Sequence, residues 1–197
     1  MSKVTVGLVF FALMIIILPL GYMQHEIGHV IAAKMADIPV TLSYYCVHEP
    51  PDLGARGYCL LCLGGPLATW SFAVAGFVVL FVGRRRNWWD RGKAPSIGQI
   101  LLTCVALFSA RSLLDGFFFI RTGFEGGAGD ERMILDYLGV PLVPVVFLEI
   151  IVAAFIAVMS FRYISRGYRL SSVIGYTAGL FAGLFLWMSV VGPILLP

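Results

Sequence analysis

The chain has 197 residues, of which 59% are hydrophobic and only 13% charged, with a formal charge of +3. A soluble domain carries about a quarter charged residues, so this composition excludes one, and no basic stripe points to nucleic acid. The apolar residues fall in blocks of about 20 or more, each long enough to cross a bilayer. The expectation is an all-α polytopic membrane protein of about five transmembrane helices, one integral domain over residues 1–197 in contact with the lipid bilayer.

The first predicted span runs from Val4 to Ala33 and is loosened near Pro19 and Gly21. Lys3 followed by an apolar run imitates a signal peptide, but no small-x-small cleavage site follows. The segment is therefore expected to be a retained membrane helix. Inside it stands His25-Glu26-Ile27-Gly28-His29, the pattern H-E-x-x-H, holding two of the chain's three histidines. Positions i and i+4 share a helix face, so both imidazoles can address one metal ion. Glu26 then lies where it can take a proton from a metal-bound water, and without such a use its burial in a membrane would be costly.

The connection Asp37 to Gly57 is the most polar part of the first half. Its Val40–Tyr45 stretch has strand-like composition and is broken by Pro50-Pro51, which predicts a short strand against the membrane face. The second span is Tyr58 to Val82. It opens with Cys59-Leu60-Leu61-Cys62, read as apolar thiols in a helix bundle, with a disulfide to Cys46 as the alternative if that face is external. Gly64-Gly65-Pro66 follows, a turn of the helix that permits close packing. Gly83 to Pro95 is basic, with Arg84, Arg85, Arg86, Arg91 and Lys93, and Trp88 and Trp89 as interface anchors. The third span is Ile97 to Ile120. The segment Arg121 to Gly139 is acidic and glycine-rich, with Glu125, Asp130, Glu131 and Asp136. The fourth span, Val140 to Phe161, carries Glu149 at a depth matching Arg111, which predicts an ion pair. The fifth runs from Ser171 to Leu195. Counting Lys and Arg places the N-terminus and the Arg84 loop in the cytoplasm, and the 37–57 and 121–139 connections together on the opposite face.

A hydrolytic zinc site needs three protein ligands and one open position. His25 and His29 supply two; His48, Cys46, Cys59, Cys62, Asp115 and Glu149 are the candidates for the third. Asp115 lies roughly one to two turns from the end of the third span, at a depth similar to the histidines. An aspartate inside a membrane helix is costly and usually functional. Depth therefore favours Asp115, whose competing role is a pair with Arg111 one turn away. His48 beside Glu49 reads as an exposed loop pair.

Three segments in this order, His25-Glu26-Ile27-Gly28-His29, Gly65-Pro66-Leu67-Ala68 and Leu114-Asp115-Gly116, resemble the signatures of the site-2 protease family of intramembrane zinc metalloproteases. The likeness covers about the first 120 residues. It implies a three-helix catalytic core over 1–123, with residues 140–197 as two accessory helices. It also implies one zinc ion per chain held by His25, His29 and Asp115, water activated by Glu26, and a transmembrane protein as substrate. Thr69 stands where the family usually has an asparagine that positions substrate or the oxyanion, and Gly65 and Pro66 belong to the same segment. The family usually holds zinc nearer the cytosolic face, whereas the charge count puts it nearer the other. Leu42 and Tyr44, in the strand-like stretch, are expected to receive an unwound substrate by strand addition. A non-cleaving metal-binding scaffold and a metal transporter are the alternative readings, and the last two spans are open to a second copy or a regulatory membrane partner.

Overall fold

A computed structural model describes residues 1–43, 46–89, 92–123 and 129–196, and only the backbone of Arg111, Leu114 and Phe118. Helix α1 (Lys3–Met35) starts at Ser2, whose side chain accepts from Thr5 N, and carries Pro19 without a break. It stops where Asp37 turns left-handed at φ 56°. Strands β1 (Thr41–Leu42) and β2 (Val47–His48) then pair antiparallel, Thr41 opposite His48 and Leu42 opposite Val47. Thr41 and Leu42 of the strand-like stretch therefore form one arm of a small hairpin. Leu42 belongs to it, and Tyr44 lies outside the described residues. The hairpin seats Val47 on Ala33 and Leu61, where α1 meets α2 (Ala55–Arg85).

The expected third span is broken. Residues 97–121 divide into α3 (Ile97–Ala106), a 3-10 turn (Leu107–Ser109) and α4 (Ala110–Arg121). Ser109 Oγ donates back to Ala106 O at 3.2 Å, and Leu107 O is taken by the Tyr176 hydroxyl at 3.3 Å. These bonds satisfy carbonyls in a tightened turn buried among helices. A further helix, α5 (Gly129–Leu138), forms in the acidic segment expected to be a connection. After it come α6 (Leu142–Tyr163), a 3-10 turn (Arg166–Tyr168), α7 (Arg169–Leu186), a π-helical turn (Trp187–Val191) and the short α8 (Gly192–Leu195).

Among the described residues, four helical stretches are long and apolar enough to cross a membrane: Lys3–Met35, Ala55–Arg85, Leu142–Tyr163 and Arg166–Leu195. Their outer faces leave large apolar side chains bare, including Leu8, Ile16, Leu20, Phe72, Ile151, Phe155 and Phe185. In water that surface would drive aggregation; in lipid it costs nothing. The interior is narrow, with Val6, Phe10, Met14 and Ile17 of α1 meeting Ile100, Cys104, Leu107, Ile164 and Tyr176.

Small residues set how closely the spans approach. Gly175, Gly179 and Gly183, every fourth residue of α7, lie against the α1 backbone near Gly7, Phe11 and Met14. Gly28 of α1 and Gly64 of α2 face one another so closely that a Cβ on either would strike the other's carbonyl. With no hydrophobic gain from helix contact inside lipid, such close packing is what holds spans together. The α1–α2 crossing fixes the surroundings of the two histidines.

Candidate metal centre

His25 and His29 sit one turn apart on α1 and are 3% and 6% exposed. Their rings are nearly perpendicular at 83°, and their Nε2 atoms approach to 3.1 Å. Helix α2 holds the other side of each ring. His29 Nδ1 donates to the Leu61 carbonyl at 2.8 Å, and His25 Nδ1 lies 2.9 Å from Thr69 Oγ1. A carbonyl only accepts, so His29 carries its proton on Nδ1 and, when neutral, presents a bare lone pair at Nε2. With Thr69 accepting, His25 does the same. Two such lone pairs at this distance repel one another unless a cation or a proton lies between them.

Gly65 makes the convergence possible. A Cβ there would fall against the Nε2 atoms of both His25 and His29. Alanine is otherwise preferred to glycine in a helix by about 1 kcal/mol. Gly65→Ala is therefore expected to push the two rings apart, offsetting that gain by overpacking of about 1–3 kcal/mol, and to weaken metal binding by roughly tenfold or more. Chelator competition beside a melting curve in detergent checks it. Thr69→Val should act through the His25 tautomer and weaken metal binding by about 10- to 100-fold in the same assay.

The carboxylate that reaches both rings is Asp130, in place of the Asp115 expected from depth. Asp130 Oδ2 is 3.0 Å from His25 Nε2 and 3.2 Å from His29 Nε2. Among the described residues, His25, His29 and Asp130 form the group whose ligand atoms all lie within 4.8 Å of one another. Three ligands on a tetrahedral ion at 2.0–2.1 Å would stand about 3.3 Å apart, so the triangle needs little adjustment to hold a metal ion. Burial would raise the Asp130 carboxyl, but without a metal ion protonated His25 and His29 donate from Nε2 to Oδ2, which outweighs burial and holds the group below the usual range. An ionised carboxylate is what a cation requires.

A cavity of about 240 Å³ opens beside the triangle. Glu26, 5% exposed, lines it together with Cys46, Val47 and Glu49 of the hairpin, Tyr58 and Cys62 of α2, and Met133 of α5. The Tyr58 hydroxyl donates to Glu49 Oε1 at 2.8 Å at this wall. The hairpin and α5, from the two connections expected on one face, thus both line this cavity. Cys46, Cys59, Cys62 and Cys104 are all free thiols. Cys59 and Cys62 pack with Ile134, which agrees with apolar thiols rather than a disulfide.

Asp115 is outside the group formed by His25, His29 and Asp130. With His25 itself it lines a separate space of about 10 Å³, shared with Pro66, Thr69, Trp70, Ser112 and Glu131. Burial, with Glu149 adding, pushes the Glu131 carboxyl up to about 7. Glu149 accepts from Trp70 Nε1 at 2.9 Å and from Ser112 Oγ at 2.7 Å, which ties α2, α4 and α6 together. Its expected partner, the Arg111 side chain, is outside the described residues. His48 is exposed, with Nε2 3.7 Å from Cys46 Sγ.

Asp130 escaped the sequence reading because Arg121–Gly139 was read as a connection. The available signal was Met133, Ile134, Leu135 and Leu138 following Asp130 and Glu131, an apolar stripe with acids in its first turn, the signature of a short amphipathic helix. The Leu61 carbonyl had no signal in the sequence at all. Comparisons with protein-family models, with curated proteins and with solved structures found no match to this chain.

Proposed function

We propose that this chain is an intramembrane zinc metallopeptidase that hydrolyses peptide bonds of membrane-embedded or membrane-bound proteins. One observation carries the reading: His25, His29 and Asp130 converge on one point, and Glu26 lines the same cavity. When bound there, zinc supplies Lewis acidity and a water ionisable near neutral pH. The chain's own residues supply the rest. Leu61 and Thr69 hold the imidazoles in one tautomer and orientation. Glu26 takes the proton from the attacking water and returns it to the leaving amine. The substrate's transmembrane helix unwinds before its peptide bond can enter, and the hairpin at the cavity mouth offers backbone to an extended strand.

The three-ligand arrangement replaces Asp115 by Asp130 in the set the family resemblance implies, and assigns Asp115 to the separate polar space beside His25. Two imidazoles and a carboxylate also suit ferrous iron; Glu26 within the H-E-x-x-H favours zinc hydrolysis. A transporter needs polar groups along the later spans, but Glu149 there is engaged by Trp70 and Ser112. The test is elemental analysis of protein purified in detergent, together with cleavage of single-pass membrane substrates reconstituted with it. About one zinc per chain and metal-dependent cleavage are expected. Iron in place of zinc, or a loaded protein that cleaves nothing across a substrate panel, would overturn the reading.

A further inference from the structure

Two of the three metal ligands stand on a spanning helix locked at both seams by glycine contacts. The third does not. Asp130 stands on α5, ten residues long, which is not among the helices able to cross a membrane. Only Ile134 and Leu135 of α5 are buried. Arg132 and Asp136 pair at 3.9 Å on its outer face, 45% and 66% exposed. The helix rests on α2, where Ile134 meets Cys59 and Cys62, and also touches α6. Gly123 before it and Gly139 after it both have left-handed φ, 67° and 65°, and open space around them. A short helix that spans nothing and leaves most of its side chains exposed opens locally more easily than the long helices it rests on. Yet α5 also puts Asp130 and Met133 into the wall of the metal cavity.

We infer that α5 is a lid that carries a metal ligand: its movement off Cys59 and Cys62 opens the cavity to substrate and withdraws Asp130 from the ion in one step. The inference rests on the metal-site reading above and adds its regulation. Closed, the lid completes the ligand set and fills the cavity wall. Open, it leaves the ion only weakly held by His25 and His29 and clears space beside Glu26 for substrate, which is cleaved once Asp130 returns. Whatever holds α5 down therefore retains metal and blocks entry together.

The native thiols give the test. Ile134→Cys places a thiol in the contact already made by Cys59 and Cys62, and diamide oxidises the pair to a disulfide while itself taking up the two electrons and two protons. The protein is loaded with zinc, and release to an excess of chelator is followed with a zinc-sensitive dye. The cross-linked protein is expected to release zinc about tenfold more slowly than the same protein after reduction. Ile134→Ala is expected to release it about tenfold faster than wild type at equal zinc content. Equal rates in the cross-linked and reduced forms, or wild-type release from Ile134→Ala, overturn the lid while leaving the metal site standing. Failure of Ile134→Cys to cross-link overturns the seat of α5. Wild-type protein that binds no zinc overturns the metal reading and the lid with it.

Discussion

Asp130→Ala should strip the metal, whereas Asp115→Ala should leave it bound. Both are carboxylates close to His25, and they separate two ligand sets that are chemically alike. Asp130 Oδ2 touches both Nε2 atoms, at 3.0 and 3.2 Å. Asp115 is outside that cluster and shares a small space with Thr69, Ser112 and Glu131. Loss of a residue that only supports a ligand costs about 10- to 100-fold in metal affinity. Loss of Asp130 itself should exceed that range, to roughly 100-fold or more. Asp115→Ala should cost at most tens of fold. The measurement is metal content by elemental analysis, with dissociation constants from chelator competition for both variants and wild type. The opposite ranking, with metal lost from Asp115→Ala and kept by Asp130→Ala, would restore the ligand set implied by the family resemblance and remove the role assigned to α5.

The second large effect is on chemistry rather than on binding. Glu26→Gln keeps the size and polarity of the side chain and removes its capacity to accept a proton. General-base catalysis contributes about 10²- to 10⁴-fold to rate, so cleavage should fall by that amount while metal content stays that of wild type. Glu26 stands at 5% exposure on the cavity wall. Retained metal with lost cleavage assigns it the proton-transfer role. Metal lost along with activity would make Glu26 part of the ligand environment. Cleavage at the wild-type rate would mean that another group activates the water.

The local part of this site was legible in the sequence because it is periodic. H-E-x-x-H sets His25 and His29 one turn apart whatever surrounds them, since helix geometry alone puts i and i+4 on one face. Length and hydropathy did the same for the spans: Lys3–Met35, Ala55–Arg85, Leu142–Tyr163 and Arg166–Leu195 lie close to the blocks of apolar residues. The strand-like Val40–Tyr45 stretch was visible by composition, and its partner at Val47–His48 was not, since pairing is a relation between segments.

Which carboxylate joins His25 and His29 was decided by tertiary structure. Matching Asp115 in depth to the histidines assumed one unbroken helix from Ile97 to Ile120. The 3-10 turn at Leu107–Ser109 breaks that assumption. A 3-10 turn advances about 120° per residue where an α-helix advances about 100°, so three residues rotate everything beyond them by roughly 60°. Beyond the turn, Asp115 and Ser112 share a space with Trp70 and Glu131. Asp130 arrives because Ile134 finds Cys59 and Cys62 across the bundle, a contact between segments distant in the chain. Composition and spacing determined a membrane helix bundle with two imidazoles and a carboxylate on one helix. Which carboxylate completes the triangle, and which backbone carbonyl fixes His29, followed only from packing. Short-range periodicity constrains one helix face, and no local pattern constrains how a ten-residue helix folds back onto another.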